Sequence, residues 1–221
     1  MLVLTTDTVA HTPTDSTAGH FQKLSSRLGL KEPNLEANEY EVRIWNRQAL
    51  RYGEVQMAYV LRKTREKFTV VKYIIESNEQ GFQFAISLKP TVSVTQVLWK
   101  RLLGKDLLTM PDQSSVLERL VNQPGPLKDT VQGGLQADGS FTIKSYKSRP
   151  RVIVADGESF LFDVFSANGH RSYGYSNPDD LSRFYPESKE LRNILAILND
   201  VSLVFRSDKV GRDQARTINE N

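Results

Sequence analysis

Cysteine is absent from all 221 residues. That excludes a disulfide framework, a thiolate zinc site, an iron–sulfur cluster and a cysteine nucleophile, because each requires the sulfur itself. Histidine is scarce, occurring only as His11, His20 and His170, and no His-x-x-His, His-Glu-x-x-His or Asp-x-Asp spacing occurs. No metal ligand or cofactor can therefore be assigned from motif spacing. Apolar runs are short as well. No window approaches the ~18–20 consecutive apolar residues of a membrane-spanning helix. Neither sign of charge dominates: 29 Lys/Arg stand against 26 Asp/Glu, a formal net charge of +3.

The catalytic signatures that need particular spacings are missing too. There is no Gly-x-Ser-x-Gly elbow, no Gly-x-Gly-x-x-Gly turn and no Walker lysine loop. Gly133-Gly134 has no helix after it and offers no phosphate cradle. A carboxylate pair can be far apart in sequence. Asp156, Glu158 and Asp163 fall in one hairpin, with Asp156 committed to the turn and Asp163 opposite the Phe160 face. No catalytic residue is assigned, and the balance leans away from an enzyme.

What is present is enough for a globular core. With 39% hydrophobic residues, a chain of this length forms one large domain or two small ones and can bury ~65–75% of its unfolded surface. Charge is unevenly placed. Residues 39–105 carry 12 Lys/Arg against 6 acids, residues 1–38 carry 3 against 4, and residues 106–221 carry 14 against 16. The start, Met1-Leu-Val-Leu, has no basic segment and too short an apolar run for a signal peptide. As written the chain would stay in the cytoplasm; an upstream leader would place it in the envelope or periplasm. Between Thr5 and Thr17 six Thr, one Ser, one Pro and two Asp make a composition that cannot offset its ordering entropy. Residues 1–38 are therefore expected as a disordered or loosely ordered tail, and 207–221 as a polar C-terminal tail.

Alternation of apolar residues between Tyr40 and Leu88 predicts a four-stranded antiparallel meander. Tyr40, Val42 and Ile44 share one face, as do Val55, Met57, Tyr59 and Leu61, and Phe82, Phe84, Ile86 and Leu88. Phe68 to Ile75 is apolar on both faces and belongs inside the sheet. The connectors Arg51-Tyr52-Gly53, Thr64-Arg65-Glu66 and Asn78–Gly81 are hairpin-length. Val94, Val97, Leu98, Arg101 and Leu102 then fall at helical spacing, predicting a helix over 93–103 closed by Gly104. Ser115 and Glu118 have capping-box spacing, so a second helix is expected to run to Val121. Residues 123–139 collect Pro124, Gly125, Pro126, Gly133, Gly134 and Gly139 and read as a linker.

Alternation resumes with Phe141 and Ile143, Val152 and Val154, then Phe160, Phe162 and Val164, ending at Tyr173 and Tyr175. Asp156-Gly157 and Asn168-Gly169 are turn dipeptides. Asn177-Pro178-Asp179-Asp180 is a helix start, and Leu191, Ile194, Leu195, Leu198 and Val201 form one helical stripe. The class is α+β: two antiparallel meanders each followed by helices, at 39–122 and 140–206, in one composite domain or two subdomains.

Two clusters are candidates for binding. Arg171, Tyr173 and Tyr175 are two apart on one strand face leading into Asn177, combining flat area with directional hydrogen bonds. Arg62, Lys63, Arg65 and Lys67 sit at a predicted hairpin tip within reach of a phosphate backbone, although tips also collect solubilising charge. Lys144, Lys147, Arg149 and Arg151 surround another turn with the same ambiguity.

The segments Asp106-Leu-Leu-Thr-Met-Pro-Asp-Gln113, Asp156-Gly-Glu-Ser-Phe160 and Tyr173-Gly-Tyr-Ser-Asn-Pro178, with the strand Tyr40-Glu-Val-Arg-Ile-Trp45, resemble in order a group of uncharacterised bacterial proteins, some with lipoprotein-type leaders. The resemblance spans roughly residues 39–205. It implies an α+β domain and, for the lipoprotein-like members, export; it transfers no catalytic residue. This sequence lacks the lipid-bearing cysteine.

Three functions remain. The first is a non-enzymatic binding or protein-interaction domain, taking another protein or a small polar ligand at Arg171, Tyr173, Tyr175 and Asn177. The second is nucleic-acid binding by the basic 39–105 region. The third is an enzyme with a dispersed site.

Overall fold

The computed structural model describes residues 15–48, 55–78, 81–122, 128–135, 137–148 and 157–206. In chain order the elements are α1 (Asp15–Arg27), β1 (Tyr40–Gln48), β2 (Val55–Lys63), β3 (Phe68–Asn78), β4 (Gly81–Leu88), α2 (Gln96–Leu103), α3 (Gln113–Asn122), β5 (Lys128–Leu135), β6 (Phe141–Ser148), β7 (Glu158–Ser166), β8 (Gly169–Ser176), α4 (Pro178–Phe184) and α5 (Lys189–Leu203). The protein is α+β. Six strands form one antiparallel sheet in the order β4-β3-β2-β1-β7-β8, and β5 pairs with β6 in a separate hairpin.

Strands β1 to β4 pair antiparallel in chain order, as a meander. The second set does not form a sheet of its own. Strand β7 pairs with β1 along its whole length, from Tyr40 opposite Ser166 to Gln48 opposite Glu158, and β8 closes that side. The two meanders thus share one sheet, with β1 near its middle.

Alternation gives that sheet two buried faces. On one, Val42, Ile44, Leu61, Val70, Phe162 and Val164 pack against Leu98, Trp99 and Leu102 of α2 and Leu191, Ile194, Ile197 and Val201 of α5. On the other, Trp45, Ala58, Ile75 and Leu161 pack against Phe21 and Leu24 of α1. Opposite-facing residues of β1 therefore serve different cores: Ile44 lies opposite Tyr59 and Phe162, and Trp45 opposite Ala58 and Leu161.

Three expectations require correction. Residues 1–38 are not tail throughout, since α1 begins at Asp15. Phe21, Leu24 and Leu28 fall three and four apart on one helical face, and Phe21 stacks on Trp45 with ring centroids 5.2 Å apart. That apolar stripe lies beyond the Thr-rich stretch on which the tail was argued. The segment after α1 is tied down by Arg43, which donates from Nη2 to Lys31 O at 2.5 Å and from Nη1 to Leu30 O at 3.4 Å while pairing with Glu41 at 2.7 Å.

The 123–139 segment is likewise not a linker throughout, because β5 runs from Lys128 to Leu135. Gly133 serves cross-strand packing. A Cβ on Gly133 would lie 2.7 Å from the Phe141 ring, so the glycine makes room for that ring. The β5–β6 turn carries Gly139 at φ 82°, and Asp138 Oδ1 accepts from Ser140 N at 2.9 Å.

The third correction concerns α3. It starts at Gln113, so Ser115 lies inside it and no Ser115–Glu118 capping box forms; Asp112 Oδ1 instead accepts from Gln113 N at 2.8 Å. Gly104 does follow α2, but in the right-handed region at φ −62°. The connector at Arg51–Gly53, the strand at Val152 and Val154, Asp156, and residues 207–221 lie outside the described residues.

Candidate functional site

Arg171, Tyr173 and Tyr175 do share one face of β8, and the chain's own 105–113 segment covers it. Tyr173 is 2% exposed and donates its hydroxyl to Leu107 O at 2.6 Å; Tyr175 is 1% exposed and donates to Pro111 O at 2.8 Å. Arg171 donates to Leu108 O at 2.9 Å and Met110 O at 2.7 Å, with its guanidinium 5.3 Å from the Tyr173 ring centre. The three side chains hold a loop of backbone carbonyls in place of an external partner. Burial raises both tyrosine pKa values; the Arg171 charge lowers that of Tyr173 somewhat, while Glu190 and Asp112 raise that of Tyr175 further.

Asn177, the fourth residue of that cluster, belongs to a different feature. It ends β8 and begins α4 in the left-handed conformation, φ 50° and ψ 48°, and its side chain makes none of the capping hydrogen bonds that asparagine usually makes at a helix start. Its backbone is fixed instead: the N–H donates to Glu158 O at 2.7 Å, and its carbonyl accepts from Leu181 N at 3.0 Å. The side-chain oxygen lies where a Cβ on residue 157 would stand, only 1.5 Å from that position, so a side chain at 157 would require the Asn177 amide to move aside. Asn177 Oδ1 is buried and has no hydrogen-bond partner among the described residues.

A cleft of about 480 Å³ opens there, between the sheet and helices α4 and α5. Its floor is the helix-facing side of β1, β2 and β7. Asn46 lies opposite Met57 on β2 and Phe160 on β7. It continues the face of Val42 and Ile44, so an amide stands at a position where alternation calls for an apolar side chain. Asn46 is 5% exposed, and its Oδ1 also has no hydrogen-bond partner among the described residues. An unmet buried acceptor costs about 1–3 kcal/mol. Two at one cleft mark it as the most unusual place in the described fold.

The other lining groups divide by chemistry. Met57, Phe160, Leu195 and Leu198 give an apolar wall, and Glu158, Asp179 and Asp180 bring carboxylates. Among the described residues, no Lys, Arg or His lines the cleft. Tyr59 lies in its wall with a pKa raised by burial and further by the Glu158 charge, while Lys72 Nζ sits 5.6 Å from the Tyr59 ring centre, its own pKa lowered by desolvation. Arg183 reaches Asp179 at 2.5 Å and Asp180 at 3.7 Å from the solvent side. The carboxylates and amide oxygens of the lining can accept hydrogen bonds, and the Tyr59 and Ser202 hydroxyls and the asparagine amides can donate them. Among the described residues the lining contains neither cysteine nor histidine.

A second polar cluster lies on the opposite sheet face. Asp163 Oδ1 accepts from Ser172 Oγ at 2.6 Å and meets His170 Nε2 at 3.3 Å, its Oδ2 accepts from Trp45 Nε1 at 2.9 Å, and Ser172 Oγ is 3.3 Å from the same His170 Nε2. A hydrolytic triad needs acid and serine on different imidazole nitrogens. Here both approach one, and the cluster seats the Trp45 indole.

The basic tip is partly answered by acids. Arg62 pairs with Glu41 at 3.7 Å, Arg65 with Glu36 at 2.8 Å, and Lys63 donates to Thr64 O. Lys67 stays at the tip, where its backbone carbonyl closes the turn with Thr64 N at 2.9 Å. Lys144 and Lys147 fall on β6, and Arg149 and Arg151 lie outside the described residues.

Asn46 and Gly157 were not singled out from sequence. The signal for Asn46 was a polar residue extending the Tyr40-Val42-Ile44 face; for Gly157 it was only the turn dipeptide. No family model, no curated protein and no solved structure matches the chain, so the site rests on its own geometry.

Proposed function

We propose that this protein is a non-catalytic binding domain, and that the cleft between the sheet and helices α4 and α5 holds a small polar ligand offering hydrogen-bond donors. The observation that carries this reading is that two residues with buried, unpartnered side-chain oxygens, Asn46 and Asn177, line one cleft. A donor-bearing ligand would answer both, and the cleft volume falls within the ~300–1,000 Å³ of ligand pockets. The left-handed Asn177, packed closely on Gly157, supports the same reading, since such backbone persists where surrounding structure enforces it and clusters at ligand clamps.

The test is a fragment screen by protein-detected NMR with a library of small polar compounds. The expected result is that bound fragments move the Asn46 and Asn177 side-chain amide signals and the Gly157 N–H. Asn177→Gly, which keeps the left-handed backbone without strain, should lose those shifts while the Tm stays within a few degrees. Perturbations confined to other surfaces would defeat the reading.

The nucleic-acid alternative has less behind it, because Arg62 and Arg65 already lean on Glu41 and Glu36. It would be revived by binding whose affinity falls steeply with salt.

A further inference from the structure

We infer that two copies of this chain associate weakly through the outer edge of β4, antiparallel about a two-fold axis at Ile86, so that their sheets join; the inference is independent of the cleft. Among the described residues no strand pairs with the outer side of β4. The strand, Gly81–Leu88, contains neither charge nor proline. An uncharged apolar edge of this kind is a template for pairing with another chain. The irregularity in β4 lies where Phe82 and Phe84 oppose Ser77 and Glu76, and it leaves Phe84–Leu88 in regular register with β3. On the α1 side Phe82 and Ala85 already pack on the core. On the helix-facing side Phe84, Ile86 and Leu88 stand exposed.

Register selects the occupant. Directly opposite residues of neighbouring strands share a face, so Met57, Ile74 and Ile86 form one apolar row across β2, β3 and β4. The rows beside it are Tyr59, Lys72 and Leu88, and Val55, Glu76 and Phe84. A two-fold axis at Ile86 sets Ile86 against its own copy and Phe84 of each chain against Leu88 of the other. All three exposed side chains then meet apolar partners, and the Met57-Ile74-Ile86 row continues into its own copy. The neighbouring axes do not achieve this. At Ala85, Leu88 would oppose Phe82, which packs on the α1 side; at Ser87, Phe84 would oppose Pro90, which has no N–H to give. Charge agrees with the axis at Ile86. There the row holding Lys72 runs into the row holding Glu76 of the other copy, whereas an axis at Phe84 or Leu88 would run Glu76 into Glu76 or Lys72 into Lys72. At three strand spacings, ~14 Å, these charges bias the register without forming ion pairs. An edge of this length covers less than the ~1,200 Å² of standard interfaces, so the copies separate in dilute solution.

Sedimentation velocity of the full chain from ~1 to ~500 µM tests this across the affinities of a small interface. The average mass should rise toward that of two chains, and the β4 N–H groups should exchange more slowly with deuterium at the concentrated end. Ile86→Lys sets two ammonium groups side by side at the axis and should weaken association about 10-fold or more. Phe84→Lys and Leu88→Glu should each weaken it alone. Combined in one chain they place lysine opposite glutamate at both contacts, and association should return. The urea midpoint of each variant in dilute solution checks that it folds. A chain that stays monomeric throughout overturns the inference. Slow β4 exchange that ignores concentration overturns it too, because the edge would then be covered within one chain. So does a dimer that survives Ile86→Lys, or one that the single variants abolish and the double variant fails to restore.

Discussion

The two edges of the six-stranded sheet are finished in opposite ways. At β8 the chain returns along the strand: Gly174 N donates to Asp112 Oδ1 at 3.1 Å and Ser176 N to Gln113 Oε1 at 2.5 Å, while Tyr173, Tyr175 and Arg171 hold the carbonyls of Leu107, Pro111, Leu108 and Met110. At β4 no further strand pairs with the outer side among the described residues. That strand, Gly81-Phe-Gln-Phe-Ala-Ile-Ser-Leu88, carries no charge, and Phe84, Ile86 and Leu88 are 49%, 50% and 37% exposed. Edges are commonly blunted by charge, proline or cover. This fold uses cover at β8, whereas at β4 Lys89 and Pro90 stand only after the strand has ended. The difference teaches that an aromatic, polar strand face is no sign of a contact surface. On β8 such a face anchors the chain to itself; on β4 the plainer apolar face is the exposed one.

If that contrast is right, the largest cost should follow from cutting the β8 anchor. Tyr173→Ala removes a ring that stacks on Phe162 at 4.8 Å between centroids and leaves Leu107 O without its donor. Urea denaturation should show a loss of about 3–5 kcal/mol. Tyr173→Phe keeps the ring and should cost only about 1–2 kcal/mol. Equal losses for the two would mean that the hydroxyl, not the packing, secures the edge.

High pH should attack the same edge next. Tyr173 and Tyr175 have folded-state pKa values raised by burial above the ordinary ~10. A raised pKa means that the native state keeps the phenolic proton after the unfolded chain has lost it. The contribution is therefore complete below about pH 10 and is lost as pH rises beyond it. The expected slope is a fall of about 1.4 kcal/mol per pH unit for each tyrosine, seen in urea midpoints between pH 10 and 11.5. The Tyr173→Phe, Tyr175→Phe double variant should flatten it; an unchanged slope would assign alkaline sensitivity to other groups.

Much of this architecture could be read from local pattern, and the exceptions share a cause. Hairpin neighbours β1 to β4 follow from period-two alternation and short turns, and α5 from its Leu191–Val201 stripe, because both signals span a few residues. The pairing of β1 with β7 joins positions more than a hundred residues apart, such as Ile44 and Phe162, and alternation specifies a face without naming the neighbour. That is why the pattern leaves open whether the two meanders share one sheet or form two subdomains. The same gap misdirected the tyrosines: Tyr173 and Tyr175 have the composition of a contact surface, and only the return of residues 105–113 shows them occupied. Asn177 was visible as a helix start, but its unused side-chain oxygen was not. Asn46 is informative only once its neighbours, Met57 and Phe160, are known to lie on the helix-facing side.

Removing the cap from β8 should cost less than removing its anchor. Asp112 Oδ1 accepts from both Gly174 N and Gln113 N, so Asp112→Ala opens the strand edge and the start of α3 together. A loss of about 1–2 kcal/mol is expected. Hydrogen exchange should localise it, with the Gly174 N–H speeding up more than N–H groups of β1. Uniform acceleration would show that the edge opens only with global unfolding.

The smallest effect belongs to β4. Phe84→Lys and Ile86→Lys place a charge on side chains already half exposed on the outer strand. Because a lysine stem can lie along the neighbouring apolar surface while its ammonium stays in water, each should change stability by no more than about 0.5 kcal/mol in the same urea assay. The comparison with Asp112→Ala is the decisive one. Should either lysine cost as much as opening β8, the outer face of β4 must be covered in solution, and the two edges would be closed alike, one by the chain itself and the other from outside it.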